Sequence, residues 1–136
     1  LRVKLSDRGA RAELADASLA LAASGTVTLE AALASVPLVV VYRVSRTTYT
    51  LVRPFFRLDH VCIVNILAGR ELVPELLQGN AKPRKIAQAA IPLLEVGDRR
   101  QGVLDGYRDI VASLGKASPS RRVAEILDAR ISREPE

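Results

Sequence analysis

The sequence predicts an α/β fold, with a parallel sheet in the first part of the chain and helices alone in the remainder. Short apolar segments alternate with helical segments up to about Gln78, a pattern typical of strands joined by right-handed helical crossovers. Residues 38–42 (Leu-Val-Val-Val-Tyr) are apolar without interruption, as expected for a strand covered on both faces. After Gln78, apolar residues recur only at helical spacing.

Each early element has a local reason. Leu1, Val3 and Leu5 alternate with polar residues as in a strand. Pro37 ends the helix before it, and Pro54 kinks or ends another helix. We expect strands over residues 1–5, 19–22, 38–42 and 61–64, and helices over 9–17, 26–35 and 45–57.

The later helices carry end signals as well. Pro83 stands in the first turn of one helix, and Gly115 is a suitable C-cap for the next. We expect helices over residues 83–96, 98–114 and 120–131. We divide the chain into a partial α/β domain (1–79), helices that complete it (80–115), and a C-terminal helix with a frayed tail (116–136).

Size and composition restrict the class of protein. The 136 residues suffice for one domain, and 49% hydrophobic with 26% charged residues is ordinary for a globular chain. The longest apolar run is too short to span a bilayer, and the N-terminus lacks a signal-peptide pattern. One cysteine, Cys62, excludes an intrachain disulfide and suits a reducing compartment, so we expect a cytoplasmic location. Leu1 is not a start methionine, and the alternating pattern of a strand is present from the first residue. We therefore expect a piece of a larger protein.

A basic and aromatic segment lies in the middle of the chain. The net charge is +5, and no acidic residue occurs between Glu30 and Asp59. That interval holds Arg43, Arg46, Arg53, Arg57, Tyr42, Tyr49, Phe55 and Phe56. Such a cluster suits nucleic acid, an anionic membrane surface or a phosphorylated ligand. A solvated helix face with aromatics in the core explains the pattern equally well.

The turn at residues 24–26 is the principal candidate binding site. Ser24, Gly25 and Thr26 follow an apolar segment and open a helix, so backbone N–H groups, hydroxyls and the positive end of the helix dipole would converge on a phosphate. Glu30 lies four residues after Thr26 on the same helix face, where it could accept hydrogen bonds from a sugar diol. The pattern therefore predicts nucleotide binding, although Ser or Thr at such a turn also serves as a simple N-cap.

A second candidate segment is residues 65–78. Asn65 is expected at a strand end, Gly69 in a turn, Arg70 as a cation and Glu71 at the start of a helix. Ligands of parallel sheets bind beyond the carboxyl ends of the strands, so residues 24–26, 43–45 and 65–70 should meet at one edge. Alternatively, Asn65 and Glu71 only cap a helix.

In this order and spacing, the segments resemble the lipid-A-disaccharide synthase family of GT-B glycosyltransferases. The matching segments are residues 24–30, 39–43, 47–57 and 65–78, and the resemblance is good from residue 9 to 78 and looser to 114. Val64 stands where the family usually has proline. The family's N-terminal domain and its glycine- and arginine-containing phosphate loop are missing.

The resemblance implies a Rossmann-like parallel sheet, the C-terminal half of a GT-B enzyme, followed by C-terminal helices. It implies inverting transfer of 2,3-diacylglucosamine from UDP-2,3-diacylglucosamine to 2,3-diacylglucosamine 1-phosphate (lipid X), without cofactor or metal. The general base would lie in the missing domain, so no catalytic residue is expected here and the isolated chain should be inactive. The implied UDP- and substrate-binding residues are Ser24, Gly25, Thr26, Glu30, Arg43, Asn65, Gly69, Arg70 and Glu71.

The resemblance also implies partners. The acylated substrates place the enzyme on the cytoplasmic surface of the inner membrane, with residues 46–57 against anionic lipid or, alternatively, in a homodimer interface. We expect no nucleic acid partner, and we interpret His60 and Cys62 as structural. Another UDP-sugar-binding GT-B enzyme and a non-catalytic truncated remnant are the competing interpretations.

Overall fold

The computed structural model describes residues 3–45, 60–115 and 119–131. Three parallel strands form one sheet in the order β1-β2-β3, with Ala22 opposite Val40 and Val40 opposite Glu75. The strands are β1 (Ala20–Ala22), β2 (Leu38–Tyr42) and β3 (Glu75–Leu77). The predicted α/β class with a parallel sheet is therefore confirmed.

Helices surround this sheet. They are α1 (Ala10–Ala15), α2 (Thr26–Leu33), α3 (Ile63–Ala68), α4 (Pro83–Leu94), α5 (Asp98–Leu114) and α6 (Pro119–Ile131), with a 3-10 turn at Gln78–Asn80. The helices expected in residues 9–17, 26–35, 83–96, 98–114 and 120–131 are confirmed, and Gly115 caps α5 as predicted.

The core is built around the central strand. Leu38, Val39 and Val40 are fully buried, as the uninterrupted apolar pattern predicts. Ala31 and Ala32 of α2 are buried in the same core cluster, and their small side chains allow α2 to approach closely. Each fully buried Leu or Val side chain contributes roughly 1.5–3 kcal/mol, so β2 anchors the edge where the site lies.

The strand expected at residues 1–5 is wrong over the part that the structure describes. Residues 3–7 have no regular secondary structure. Val3 and Leu5 are 79% and 93% exposed. An alternating pattern forms a strand only where a neighbouring strand accepts its backbone hydrogen bonds, and β1 pairs with β2 alone among the described strands.

The strand expected at residues 61–64 is also wrong, because α3 begins there at Ile63. Glu71 does not open a helix either, since residues 71–74 are irregular and β3 follows at Glu75. The Glu75 side chain accepts a hydrogen bond from the Cys62 N–H, and the Asn65 side chain accepts one from the Val73 N–H. These tertiary contacts hold residues 61–64 and 71–74 in place and override local propensity. The expected helix at 45–57 lies outside the described residues, apart from Ser45.

Candidate functional site

The turn before α2 is open towards solvent and uncapped. Gly25 is the N-cap residue, with φ 147° and ψ −170°, and among the described residues no side chain forms a capping hydrogen bond at this end of the helix. This backbone region is accessible essentially only to glycine. The first N–H groups of a helix have no partner inside the helix, so those after Gly25 can bind an anion where the helix dipole favours negative charge.

The side chain of Ser24 is engaged within the protein. Its Oγ donates a hydrogen bond of 2.6 Å to the carbonyl oxygen of Val61. The single hydroxyl proton is therefore committed to Val61 and is not available for a phosphate oxygen. In this arrangement, anion binding at the turn depends on the backbone N–H groups.

Further along α2, Thr26 is exposed and Glu30 is half-buried. Within the described part of the chain, neither side chain forms a hydrogen bond or ion pair, whereas Thr28 donates to the Gly25 carbonyl oxygen at 2.7 Å. Four residues apart on one helix, Thr26 and Glu30 lie on the same face. The structure thus brings together residues 24–30 as the sequence predicted.

Arg43 comes directly after β2 and is exposed. Because Ala22 is level with Val40 in the sheet, Ser24 and Arg43 both lie beyond the carboxyl ends of adjacent strands. Arg43 therefore supplies a positive charge at the edge that the α2 turn occupies.

Asn65 does not stand at a strand end. It lies inside α3 and is fully buried. Its Oδ1 accepts hydrogen bonds from the N–H groups of Leu72 and Val73, each at 2.9 Å. Its Nδ2 donates to the Val73 carbonyl oxygen at 2.8 Å and to Glu75 Oε1 at 2.7 Å. All four hydrogen-bonding positions of the amide are used inside the protein. Contact between Asn65 and a ligand is not tested by this arrangement and stays a prediction.

Gly69, Arg70 and Glu71 lie at the other end of α3. Gly69 is its C-cap in the left-handed conformation, with φ 64° and ψ 16°, and all three residues are exposed. The N-terminal end of α3 adjoins Ser24 through Val61, and the six residues of the helix add about 9 Å along its axis. Gly69, Arg70 and Glu71 therefore lie at the end of α3 that is remote from Val61, and their contact with a ligand at the α2 turn stays a prediction.

Glu75 occupies a central position, although no separate role for it follows from the sequence pattern. Its Oε2 accepts a hydrogen bond from the Val61 N–H at 3.0 Å, and its Oε1 accepts one from the Cys62 N–H at 3.1 Å. His60 Nδ1 lies 3.8 Å from Oε1, and the Glu75 side chain is only 8% exposed. Glu75 on β3 thus holds the two residues that precede α3, a pairing across 13 residues that local sequence pattern does not reveal.

The described residues contain neither a metal-binding cluster nor a membrane-spanning helix. Among residues 3–45, 60–115 and 119–131, His, Cys, Asp and Glu side chains form no group of three or more that could hold a metal ion. Over the same part of the chain, no helix is long and apolar enough to cross a membrane.

A parallel sheet with a glycine turn and a helix N-terminus at its carboxyl edge defines a Rossmann-like α/β protein. The family model for lipid-A-disaccharide synthetase matches residues 1–127. The chain therefore belongs to the lipid-A-disaccharide synthase family, and the match extends beyond residue 114, where the resemblance in the sequence weakens.

Curated lipid-A-disaccharide synthases agree with this result. The protein of Anaeromyxobacter sp. (strain K) is 44% identical over 127 residues, 92% of this chain and 33% of that protein. The protein of Prochlorococcus marinus (strain MIT 9313) is 49% identical over 117 residues, 84% of this chain and 30% of that protein. The protein of Rhodospirillum centenum (strain ATCC 51521 / SW) is 46% identical over 113 residues, 82% and 28% respectively. The chain spans about a third of the length of these relatives.

Proposed function

We propose that this chain is the UDP-binding part of a lipid-A-disaccharide synthase. The complete enzyme would transfer 2,3-diacylglucosamine from UDP-2,3-diacylglucosamine to lipid X, releasing UDP and forming the β-1,6 disaccharide of lipid A. The observation that carries the proposal is the uncapped glycine turn before α2 at the carboxyl edge of the sheet, in a chain that belongs to this family.

The chemistry needs stabilisation of the leaving group. As the bond between the sugar and UDP breaks, negative charge develops on the diphosphate. Backbone N–H groups of the turn after Ser24 would bind this charge at a preorganised position, and Arg43 would add a positive charge at the same edge. Glu30, half-buried and four residues further along α2 than Thr26, would accept hydrogen bonds from the ribose hydroxyls.

We assign no general base to this chain. Inverting attack by the 6-hydroxyl of the acceptor requires a base on the opposite side of the sugar from UDP, and we place it in the part of the relatives that lies outside the match. Gly69, Arg70 and Glu71 would then serve the sugar or acceptor side of the cleft. The isolated chain would bind UDP and form no disaccharide; disaccharide formation from lipid precursors by this chain alone would contradict this.

Titration with UDP by calorimetry tests the proposal. We expect saturable binding to the wild-type chain and at least about tenfold weaker binding to Glu30→Ala, because two hydrogen bonds between a charged group and the ribose are lost. Glu95→Ala is the matched control, since Glu95 is an exposed carboxylate after α4. Absence of binding to the folded wild-type chain, or equal weakening in both variants, would contradict a UDP site at α2.

We further propose that residues 46–57 attach the enzyme to the cytoplasmic surface of the inner membrane. Three arginines and three aromatic residues without an acidic residue suit an anionic lipid surface. Co-sedimentation with vesicles of phosphatidylglycerol and phosphatidylcholine should weaken in the Arg53→Ala/Arg57→Ala variant and persist in Arg11→Ala/Arg99→Ala.

Equal co-sedimentation of these two double variants would exclude the membrane role. A homodimer interface is the competing use of the same segment. Sedimentation equilibrium of the wild type and the Arg53→Ala/Arg57→Ala variant would then show a dimer that the substitutions weaken.

A further inference from the structure

One peptide segment links the candidate nucleotide site to the buried polar cluster beside it. The carbonyl oxygen of Val61 accepts the hydroxyl proton of Ser24 at 2.6 Å. The N–H of the same residue donates to Oε2 of Glu75 at 3.0 Å. Val61 is therefore held between the turn before α2 on one side and the first residue of β3 on the other.

We propose that Glu75 is a positioning residue for the UDP site, acting on the α2 turn through Val61 and Ser24. It does not touch the nucleotide. It fixes the position of Val61, and Val61 fixes the turn through the Ser24 hydroxyl. This inference rests on the proposed UDP site and adds a residue that the sequence motif at 24–30 does not contain.

The cluster has the properties that a fixed support requires. The Glu75 side chain is 8% exposed, so its hydrogen bonds to backbone N–H groups are shielded from water and strengthened. Asn65, held in turn by the N–H groups of Leu72 and Val73, donates to Glu75 Oε1 at 2.7 Å. The carboxylate therefore cannot rotate without breaking hydrogen bonds to Asn65, Val61 and Cys62.

The support also lies where it can act on the site. β3 and β2 are in register, with Glu75 opposite Val40, and Val40 is opposite Ala22. Glu75 is thus level with the last residue of β1, two residues before Ser24. A rigid connection across the sheet at this level restrains the turn that would hold the diphosphate.

Replacement of Glu75 by glutamine separates the hydrogen bonds of the carboxylate. Oε1 receives two donors, from Cys62 and Asn65, whereas Oε2 receives only the Val61 N–H among the described residues. A glutamine would keep its oxygen at the two-donor position and turn its NH2 group towards Val61. Glu75→Gln therefore removes the bond to Val61 and keeps the other two.

UDP titration of Glu75→Gln, Ser24→Ala and the double variant tests the proposal. We expect each single variant to bind UDP about tenfold more weakly, and the double variant to bind no more weakly than either, because both substitutions break the same connection. Ile110→Val is the control for general loss of stability, since Ile110 is buried in the core on α5. Its UDP affinity should equal that of the wild type.

A second measurement does not depend on UDP. Amide hydrogen exchange at Thr28, whose N–H donates to the carbonyl oxygen of Gly25 at 3.1 Å in the first turn of α2, should be faster in Glu75→Gln than in Ile110→Val. If the wild type fails to bind UDP, the proposed function fails, and this exchange measurement alone decides whether Glu75 holds the turn. Wild-type UDP affinity in Glu75→Gln, additive losses in the double variant, or unchanged exchange at Thr28 would each overturn the positioning role.

Discussion

Asn65 donates a hydrogen bond from its side-chain amide to the carboxylate of Glu75 across 2.7 Å, inside the protein. The two residues lie on α3 and β3 and are ten positions apart in the chain. Because the amide is completely buried and makes four hydrogen bonds, its donor and acceptor ends are not interchangeable. The pair therefore fixes the helix against the strand and makes both residues sensitive to small chemical changes.

Asn65→Asp should destabilise the fold severely. The substitution keeps the size of the side chain but sets a carboxylate oxygen against Glu75 and the carbonyl oxygen of Val73, where Nδ2 now donates. A buried charge without a partner costs roughly 3–5 kcal/mol, and we expect a loss of about that size in the free energy of unfolding, measured with urea. Asn80→Asp is the control, because Asn80 is exposed and its Oδ1 accepts from Lys85.

The pH dependence of Asn65→Asp provides a second check. The carboxyl group introduced at position 65 would be buried against a carbonyl oxygen and another carboxylate, so its pKa would lie above the unfolded value of about 4. The folded state then binds more protons than the unfolded state, and its deficit relative to the wild type should shrink as the pH falls towards 4. A deficit that is small at pH 7, or independent of pH, would contradict the hydrogen-bonding scheme.

The wrong strand assignment at residues 61–64 arises beside this same pair. These residues are apolar and three of the four are β-branched, so periodicity alone favours a strand. Instead, α3 begins at Ile63, directly after Val61 and Cys62, whose N–H groups donate to Glu75, a contact that no local pattern contains. β2 was predicted correctly because an uninterrupted apolar run needs no distant partner for its identification.

The candidate site also has one part that the local sequence predicts and another part that depends on distant contacts. The turn before α2 is local, so glycine after serine and before a helical pattern was sufficient to locate it. The positions expected for Gly69, Arg70 and Glu71 depended on a strand before them where the structure has α3, and their proximity to the turn stays a prediction. Glu75 was missed because its function depends on burial and on contacts 13 and 14 residues away.

Gly25→Ala should impair both the fold and the site. With φ 147° and ψ −170°, the residue occupies a region where an L side chain costs about 1–3 kcal/mol. Apart from the adjacent residues, none of the described residues places an atom within 4 Å of an added Cβ, so backbone strain and not a steric clash causes the loss. Urea unfolding should show this cost, and calorimetry should show UDP binding weakened about tenfold or more, because the N–H groups shift.

Gly79→Ala is the control for Gly25→Ala. Gly79 also has open space around an added Cβ, but its φ is not positive. Its stability should stay within about 0.5 kcal/mol of the wild type, with unchanged UDP affinity. Equal behaviour of the two variants would show that the turn is not restricted to glycine.

Gly106→Ala should destabilise the protein, whereas Gly102→Ala should stabilise it. Both glycines lie within α5, where alanine gains up to about 1 kcal/mol in helix propensity. A Cβ on Gly106 would lie 2.5 Å from Cδ1 of Leu72, while none of the surrounding atoms is within 4 Å at Gly102. Since Leu72 is 1% exposed, its displacement costs about 1–3 kcal/mol.

Because the gain in helix propensity is common to both variants, we expect the free energy of unfolding of Gly106→Ala to lie about 1–3 kcal/mol below that of Gly102→Ala. The N–H of Leu72 donates a hydrogen bond to the buried Asn65 side chain. The difference in stability between the two variants therefore also measures how tightly α5 packs on the buried polar cluster. Equal stabilities would mean that Leu72 moves without cost and that the contact between α5 and residue 72 is loose.

Tyr107→Phe should stabilise the protein and remove a loss of stability at high pH. The hydroxyl of Tyr107 is buried in the core, approaches the backbone of Leu38, and forms no hydrogen bond with the described residues. An unpaired buried hydroxyl costs about 1 kcal/mol or more. We therefore expect the phenylalanine variant to gain about this amount at pH 7, measured by urea unfolding.

Burial, with a smaller contribution from Cys62, raises the pKa of Tyr107 above its ordinary value of 10.0. Above pH 10 the unfolded chain loses this proton while the folded chain keeps it, so the folded state is disfavoured as the pH rises. Unfolding measured between pH 9 and 11 should show the wild type losing stability relative to Tyr107→Phe, with a slope of up to about 1.4 kcal/mol per pH unit. Parallel curves for the two proteins, or a variant that is less stable at pH 7, would mean that the hydroxyl has a hydrogen-bond partner in the folded state.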